Sequence, residues 1–152
     1  MQQGPSELQT LLVFAIVWAA MIASGIWEAY VEGRNPWDKG KLGWKIKIGS
    51  FVLTGYHFFL FWIMYPLFLA LPFVFTGWNA ELLGILISAY ATGIIIEDFT
   101  WYVANPVVRF GEWFTEFSDY YPWIKVGGRK IIPTGYVVGV LVAIGSWYFL
   151  WR

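Results

Sequence analysis

LQTLLVFAIVWAAMIASGIW, residues 8–27, holds 20 consecutive positions without a charge. At a rise of 1.5 Å per residue, a helix of that length reaches about 30 Å, the thickness of a bilayer's hydrocarbon core. The remainder of the 152-residue chain has the same character: 59% apolar, 22% aromatic and 13% charged, where soluble domains carry about 25% charged residues. A water-soluble fold of this size has too little interior for so much apolar surface, and the excess would lie exposed in aggregating patches. The sequence therefore predicts an all-α integral membrane protein with about four transmembrane helices in a bundle, its first partner being the lipid bilayer. The preceding segment, residues 1–7, lacks the positive n-region of a cleaved signal peptide, so helix one is expected to be retained.

Outward from that stretch, the chain reads as one membrane domain over residues 1–152. The expected helices lie at about 8–30, 48–75, 82–104 and 133–151. Residues 28–47 carry Arg34, Asp38, Lys39, Lys41, Lys45 and Lys47 among glycine and proline, which reads as a hydrated loop. Residues 48–80 are uncharged, and Pro66 and Pro72 predict a kinked or tilted second helix. Helix three continues past its uncharged part through Glu97 and Asp98 to a stop at Asn105-Pro106, and Pro133 suits the first turn of helix four.

The loop after helix one holds Arg34, Lys39, Lys41, Lys45 and Lys47, and the loop after helix three holds Arg109, Lys125, Arg129 and Lys130, against Arg152 alone on the other side. The positive-inside rule places both loops in the cytoplasm and both termini outside, in a plasma or inner cell membrane. Trp27, Trp37, Trp44, Trp101, Trp113 and Trp123 then form an inner aromatic belt, and Trp78, Trp147 and Trp151 an outer one. Phe110, Trp113, Phe114 and Phe117 recur at i, i+3, i+4 and i+7, with Arg109, Glu112, Glu116 and Asp119 on another face. This predicts a short interfacial amphipathic helix over about 107–120, docked on the protein's own loops or on a partner.

Ten basic and ten acidic residues cancel, leaving no basic excess for nucleic acid. Zero cysteines exclude disulfides, thiolate metal sites and iron–sulfur clusters, and a single histidine excludes bis-imidazole haem and multi-histidine metal sites.

The residues that could carry chemistry are polar ones inside apolar helices. His57 falls about ten residues into the expected second helix, near the bilayer midplane, with Ser50 and Thr54 on its face. Glu97 and Asp98 lie at comparable depth in helix three, and Glu28 closes helix one a turn from Glu32, with Ser24 on the same side. A carboxylate in a helical span costs about 2.5–3.5 kcal/mol on insertion scales, so such groups face the bundle interior, a partner or water. One reading is structural: Glu97 and Asp98 snorkel to pair with Arg109 or Lys125, His57 is a hydrogen-bonded packing residue, and Glu28 and Glu32 form a solvated helix end. The other makes His57, Glu97, Asp98 and Glu28 a site that relays protons, coordinates a cation or acts on a lipid-soluble substrate. A metal is compatible with carboxylates and one imidazole, though the chain offers few ligands. Whether the protein is an enzyme stays open.

Ile96-Glu97-Asp98-Phe99-Thr100-Trp101-Tyr102 resembles the paired-acid-plus-aromatic motif of the small membrane lycopene cyclase domains of carotenoid biosynthesis. The resemblance implies that Glu97 and Asp98 act as acids protonating a polyene, with aromatic faces stabilising the carbocation. A third reading is a non-catalytic subunit or assembly factor of a larger membrane complex. Gly135, Gly139 and Ala143, and Ala15, Ala19 and Ala23, give two small-residue faces for close helix packing. They serve the bundle, a homo-oligomer or a larger complex.

Overall fold

The computed structural model describes residues 4–34, 43–49, 51–120 and 122–152. Trp37, Lys39, Lys41 and Ser50, which entered the belt, charge and site expectations, lie outside the described residues. Helix α1, Glu7–Glu32, begins in a capping box: Ser6 Oγ accepts the Gln9 N–H, and Gln9 Oε1 accepts the Ser6 N–H. It ends at Gly33, whose φ of 59° suits a residue without Cβ.

The next segment corrects the expected second helix. Strands β1, Lys45–Ile48, and β2, Phe51–Thr54, pair antiparallel with Lys45 opposite Thr54 and Ile48 opposite Phe51. Lys-Ile-Lys-Ile alternates with the period of a strand, and Gly49 at φ 62° turns the chain back. Helix α2 therefore spans Gly55–Thr76 rather than starting at 48. Its Phe58–Met64 portion winds as a π-helix. In that register the Phe61 carbonyl would bond the N–H of residue 66, a proline without one; Tyr90 Oη donates to it instead, at 2.5 Å.

Helix α3, Ala80–Ala104, is N-capped by Asn79, whose side chain accepts the Leu82 N–H at 2.9 Å. The expected interfacial helix is two 3₁₀ turns, Phe110–Phe114 and Glu116–Ser118. They are broken at Thr115, which is extended and whose hydroxyl accepts the Phe117 N–H, a local bond that competes with a continuous helix. Strands β3, Trp123–Val126, and β4, Arg129–Pro133, form a second hairpin, and helix α4, Thr134–Trp151, closes the chain.

Helices α1 to α4 are each long and apolar enough to cross a membrane. The central helix is α3, packed on α1 along one side and on α4 along another. Its closest approach to α1 is at Gly25, where a Cβ would stand 2.4 Å from the Glu97 carbonyl oxygen. Gly139 of α4 plays the same part against the Ala91 carbonyl, and Ser88 Oγ donates to the Ala143 carbonyl, so the Gly139–Ala143 part of the small-residue face of α4 packs in the bundle, while Gly135 is exposed. The alanine face of α1 does not: Ala15, Ala19 and Ala23 are exposed, and α1 buries Val17, Met21, Ser24 and Gly25 instead. α2 joins through Phe61, Tyr65 and Leu69, which pack on Val17, Met21 and Ala89.

Residues 105–133 fold back as a cap. Arg34 forks onto Glu112, Asn105 Nδ2 donates to the Gly33 carbonyl, and Lys130 reaches Asp119 and the Thr115 carbonyl. Beneath lie Trp101, Tyr102, Val108 and Trp113. Trp101 and Trp113 are thus interior packing residues rather than belt residues, whereas Trp27, Trp44, Trp78 and Trp147 are exposed.

Candidate functional site

The last turns of α1 put Ser24, Glu28 and Glu32 on one face, four residues apart, and that face is turned into the protein. Glu28 and Glu32 are 2% and 3% exposed, which replaces the expected solvated helix end with a buried acidic pair. Helix α2 brings the imidazole to them. Because the hairpin takes up residues 45–54, His57 sits in the first turn of α2, level with the end of α1, and not ten residues inside a helix. Thr54 caps that turn: its hydroxyl accepts the His57 N–H at 3.2 Å and bonds His57 Nδ1 at 2.6 Å. The hairpin is seated by the Gly55 N–H donating to the Trp44 carbonyl at 2.8 Å, with the indole where a Gly55 Cβ would project.

With Nδ1 held by Thr54, Nε2 faces the carboxylates, 3.1 Å from Glu32 Oε1 and 4.0 Å from Glu28 Oε2. The ring lies stacked on Phe61, with Tyr56 edge-on. Ser24 Oγ donates to Glu28 Oε1 at 3.4 Å and also meets the Tyr65 hydroxyl, which extends the polar cluster to the middle of α2. Tyr65 in turn stands edge-on to Tyr90, and Tyr90 lines an apolar groove of about 250 Å³ with Pro66, Leu69, Phe73, Leu83 and Ile87.

The expected site residues divide. His57 and Glu28 come together, joined by Glu32. Glu97 is 5% exposed, and its backbone abuts α1 at Gly25. It lies within electrostatic reach of Glu28 and Glu32. Asp98, a third of a turn round α3, accepts the Tyr136 hydroxyl of α4 at 2.5 Å. The adjacent acids of the cyclase-like motif therefore lead to different neighbours. Among the described residues, no ion pair joins Glu97 or Asp98 to Arg109 or Lys125: Lys130 and Arg34 take Asp119 and Glu112.

Sequence reasoning passed over Glu32, Tyr65 and Tyr136 as site members. The signal for Glu32 was present in its i, i+4 spacing from Glu28; nothing local marked the two tyrosines, which arrive by tertiary packing. The chain matches no family model, no curated protein and no solved structure. Its chemistry is read from this cluster alone.

Proposed function

We propose that the chain is a polytopic membrane protein whose working part is a carboxylate–imidazole site that holds a cation, a proton or a metal ion, inside the bundle. One observation carries this reading: Glu28, Glu32 and His57 each offer a ligand atom, and these atoms lie within 4.8 Å of one another in a buried setting. Glu97 and Asp98 add acidic charge nearby. Two buried carboxylates beside one imidazole, with further acids on the neighbouring helix, are costly among apolar helices unless a cation or protons offset their charge. The test is thermal unfolding of the detergent-solubilised protein across pH and in sodium, potassium, magnesium, manganese and zinc chlorides. At least one cation should raise the midpoint, and the Glu28→Gln/Glu32→Gln double variant should lose that response. Indifference to pH and to every salt contradicts the reading.

The bundle is placed in a plasma or inner membrane with the cap and the β1–β2 hairpin in the cytoplasm, supported by nine basic residues in the two loops against Arg152. Because the chain has no cysteine, an introduced one reports its own side. An impermeant maleimide added to intact cells should label Asn79→Cys and spare Lys125→Cys; the reverse pattern inverts the orientation.

The apolar groove ending at Tyr90 favours a second reading, in which the site acts on a lipid-soluble substrate lying there. Leu86→Trp, which fills the groove, should then lower extraction of co-purifying isoprenoid or lipid without altering the cation response.

A further inference from the structure

We infer that Glu28, Glu32 and His57 bind one divalent metal ion of the borderline class, zinc foremost and manganese or iron(II) next, with a coordination position left for water or substrate. This inference rests on the cation-holding reading and narrows it. A zinc ion bonded to oxygen and nitrogen at about 2.0–2.1 Å holds tetrahedral neighbours about 3.3 Å apart. The distances from His57 Nε2, 3.1 Å to Glu32 and 4.0 Å to Glu28, straddle that value.

A second, independent observation lies on Glu32. Its Oε1 is buried, and among the described residues no hydrogen-bond donor is aligned with it, although the His57 ring nitrogen is 3.1 Å away. Buried polar atoms are hydrogen-bonded in the great majority of cases, and an ionised oxygen left bare is among the most costly groups a fold can hold. A metal ion between this oxygen and His57 Nε2 would give both a bonding partner.

The surroundings are those of a ligand set. Thr54 fixes the His57 ring through Nδ1 and so presents Nε2, and Ser24 occupies Glu28 Oε1 and so frees Oε2. Metal ligation takes carboxylates as anions and imidazole in its neutral form, so a set of this composition would carry −2 when bound, which one divalent ion cancels. Mixed carboxylate and imidazole donors without thiolate select borderline ions over soft ones. Three protein ligands fall one short of a closed tetrahedral site and leave the open position that catalytic zinc sites keep.

The experiment is equilibrium dialysis of the full chain in detergent, stripped with chelator and then exposed to zinc chloride, with metal analysis per chain. One equivalent should be retained, and Glu32→Gln and His57→Gln should each weaken binding by about tenfold or more. Glu116→Gln, in the exposed cap, should leave it unchanged. Cobalt(II) substitution of the unmutated chain should give visible d–d bands of a low-coordinate nitrogen–oxygen site, a readout that needs no variant to fold. Retention well below one equivalent with no cobalt bands overturns the inference, as does zinc binding that survives both substitutions. If protons or monovalent ions shift the unfolding midpoint while zinc, manganese and iron(II) do not bind, the metal falls and the cation-holding reading stands. If no cation has any effect, both fall.

Discussion

The cap over residues 105–133 ties Glu112 to Arg34 and Asp119 to Lys130, whereas the bundle beside it brings Glu28 and Glu32 to His57 and buries Glu97 on the neighbouring helix. Each cap pair has one side chain more than half exposed, Arg34 at 52% and Asp119 at 57%. Ion pairs in such surroundings add little stability, and their use is to set where a loop docks. Glu28 and Glu32 beside the imidazole are buried, an arrangement that costs folding energy and is therefore the place to look for a ligand. Paired charge at a surface sets where a loop docks, while carboxylates gathered in an apolar interior mark a site.

The sharpest separation of the two regions should come from Trp113→Ala. Its ring is 7% exposed and contacts Tyr102, Phe99, Trp123 and Tyr136. The loss should be about 3–5 kcal/mol in denaturant titration, with the cation response of the bundle retained; a lost response would show that the regions are one unit. Next is Tyr136→Phe, which removes the hydroxyl on Asp98 and should cost about 1.5–3 kcal/mol, the range for bonds to charged groups. An unchanged midpoint would mean that Asp98 is served equally well without it.

Gly25→Ala should cost about 1–3 kcal/mol by forcing α1 off the Glu97 carbonyl, whereas Gly111→Ala, with open space around it, should stay within about 0.5 kcal/mol. Equal effects would remove the close crossing. The smallest effect belongs to Glu112. Its bond from Arg34, aided by the Arg109 N–H, lowers its pKa from 4.5 to about 2. A carboxylate depressed on folding contributes stability that is complete above its unfolded value and fades as pH falls from about 4.5 toward about 2. Unfolding midpoints over that window should therefore slope less for Glu112→Gln than for the unmodified chain; parallel slopes would discount the pair.

The four helices were legible because an uncharged run such as residues 8–27 is long and apolar enough for a membrane-crossing helix, and their ends in α1, α3 and α4 fell within about two residues. Helix two was misjudged at its start because lack of charge was read as helix, when Lys45-Ile-Lys-Ile and Phe51-Val-Leu-Thr about Gly49 carried the alternation of a hairpin. That error set His57 near the bilayer midplane, at the depth of Glu97 and Asp98, and hid its meeting with Glu32. The interfacial helix failed for a smaller reason: the i, i+3, i+4, i+7 spacing of Phe110 to Phe117 is met by two 3₁₀ turns as well as by one α-helix, and Thr115 decides between them. Glu28 and His57 were found by the cost of burying polar groups, a rule that says which residues need partners but not which partner each one finds. Tyr136 for Asp98 and Tyr65 for Ser24 are fixed only by how α2 and α4 dock.

The unity of Glu28, Glu32 and His57 as one site is tested most directly by a double-mutant cycle on Glu32 and His57, read as the cation-induced shift in unfolding midpoint. Glu32→Gln and His57→Gln should each remove most of the shift, and the pair together should remove hardly more, a coupling of about 0.5–3 kcal/mol. Losses that simply add would show two groups acting apart and would contradict a shared cation.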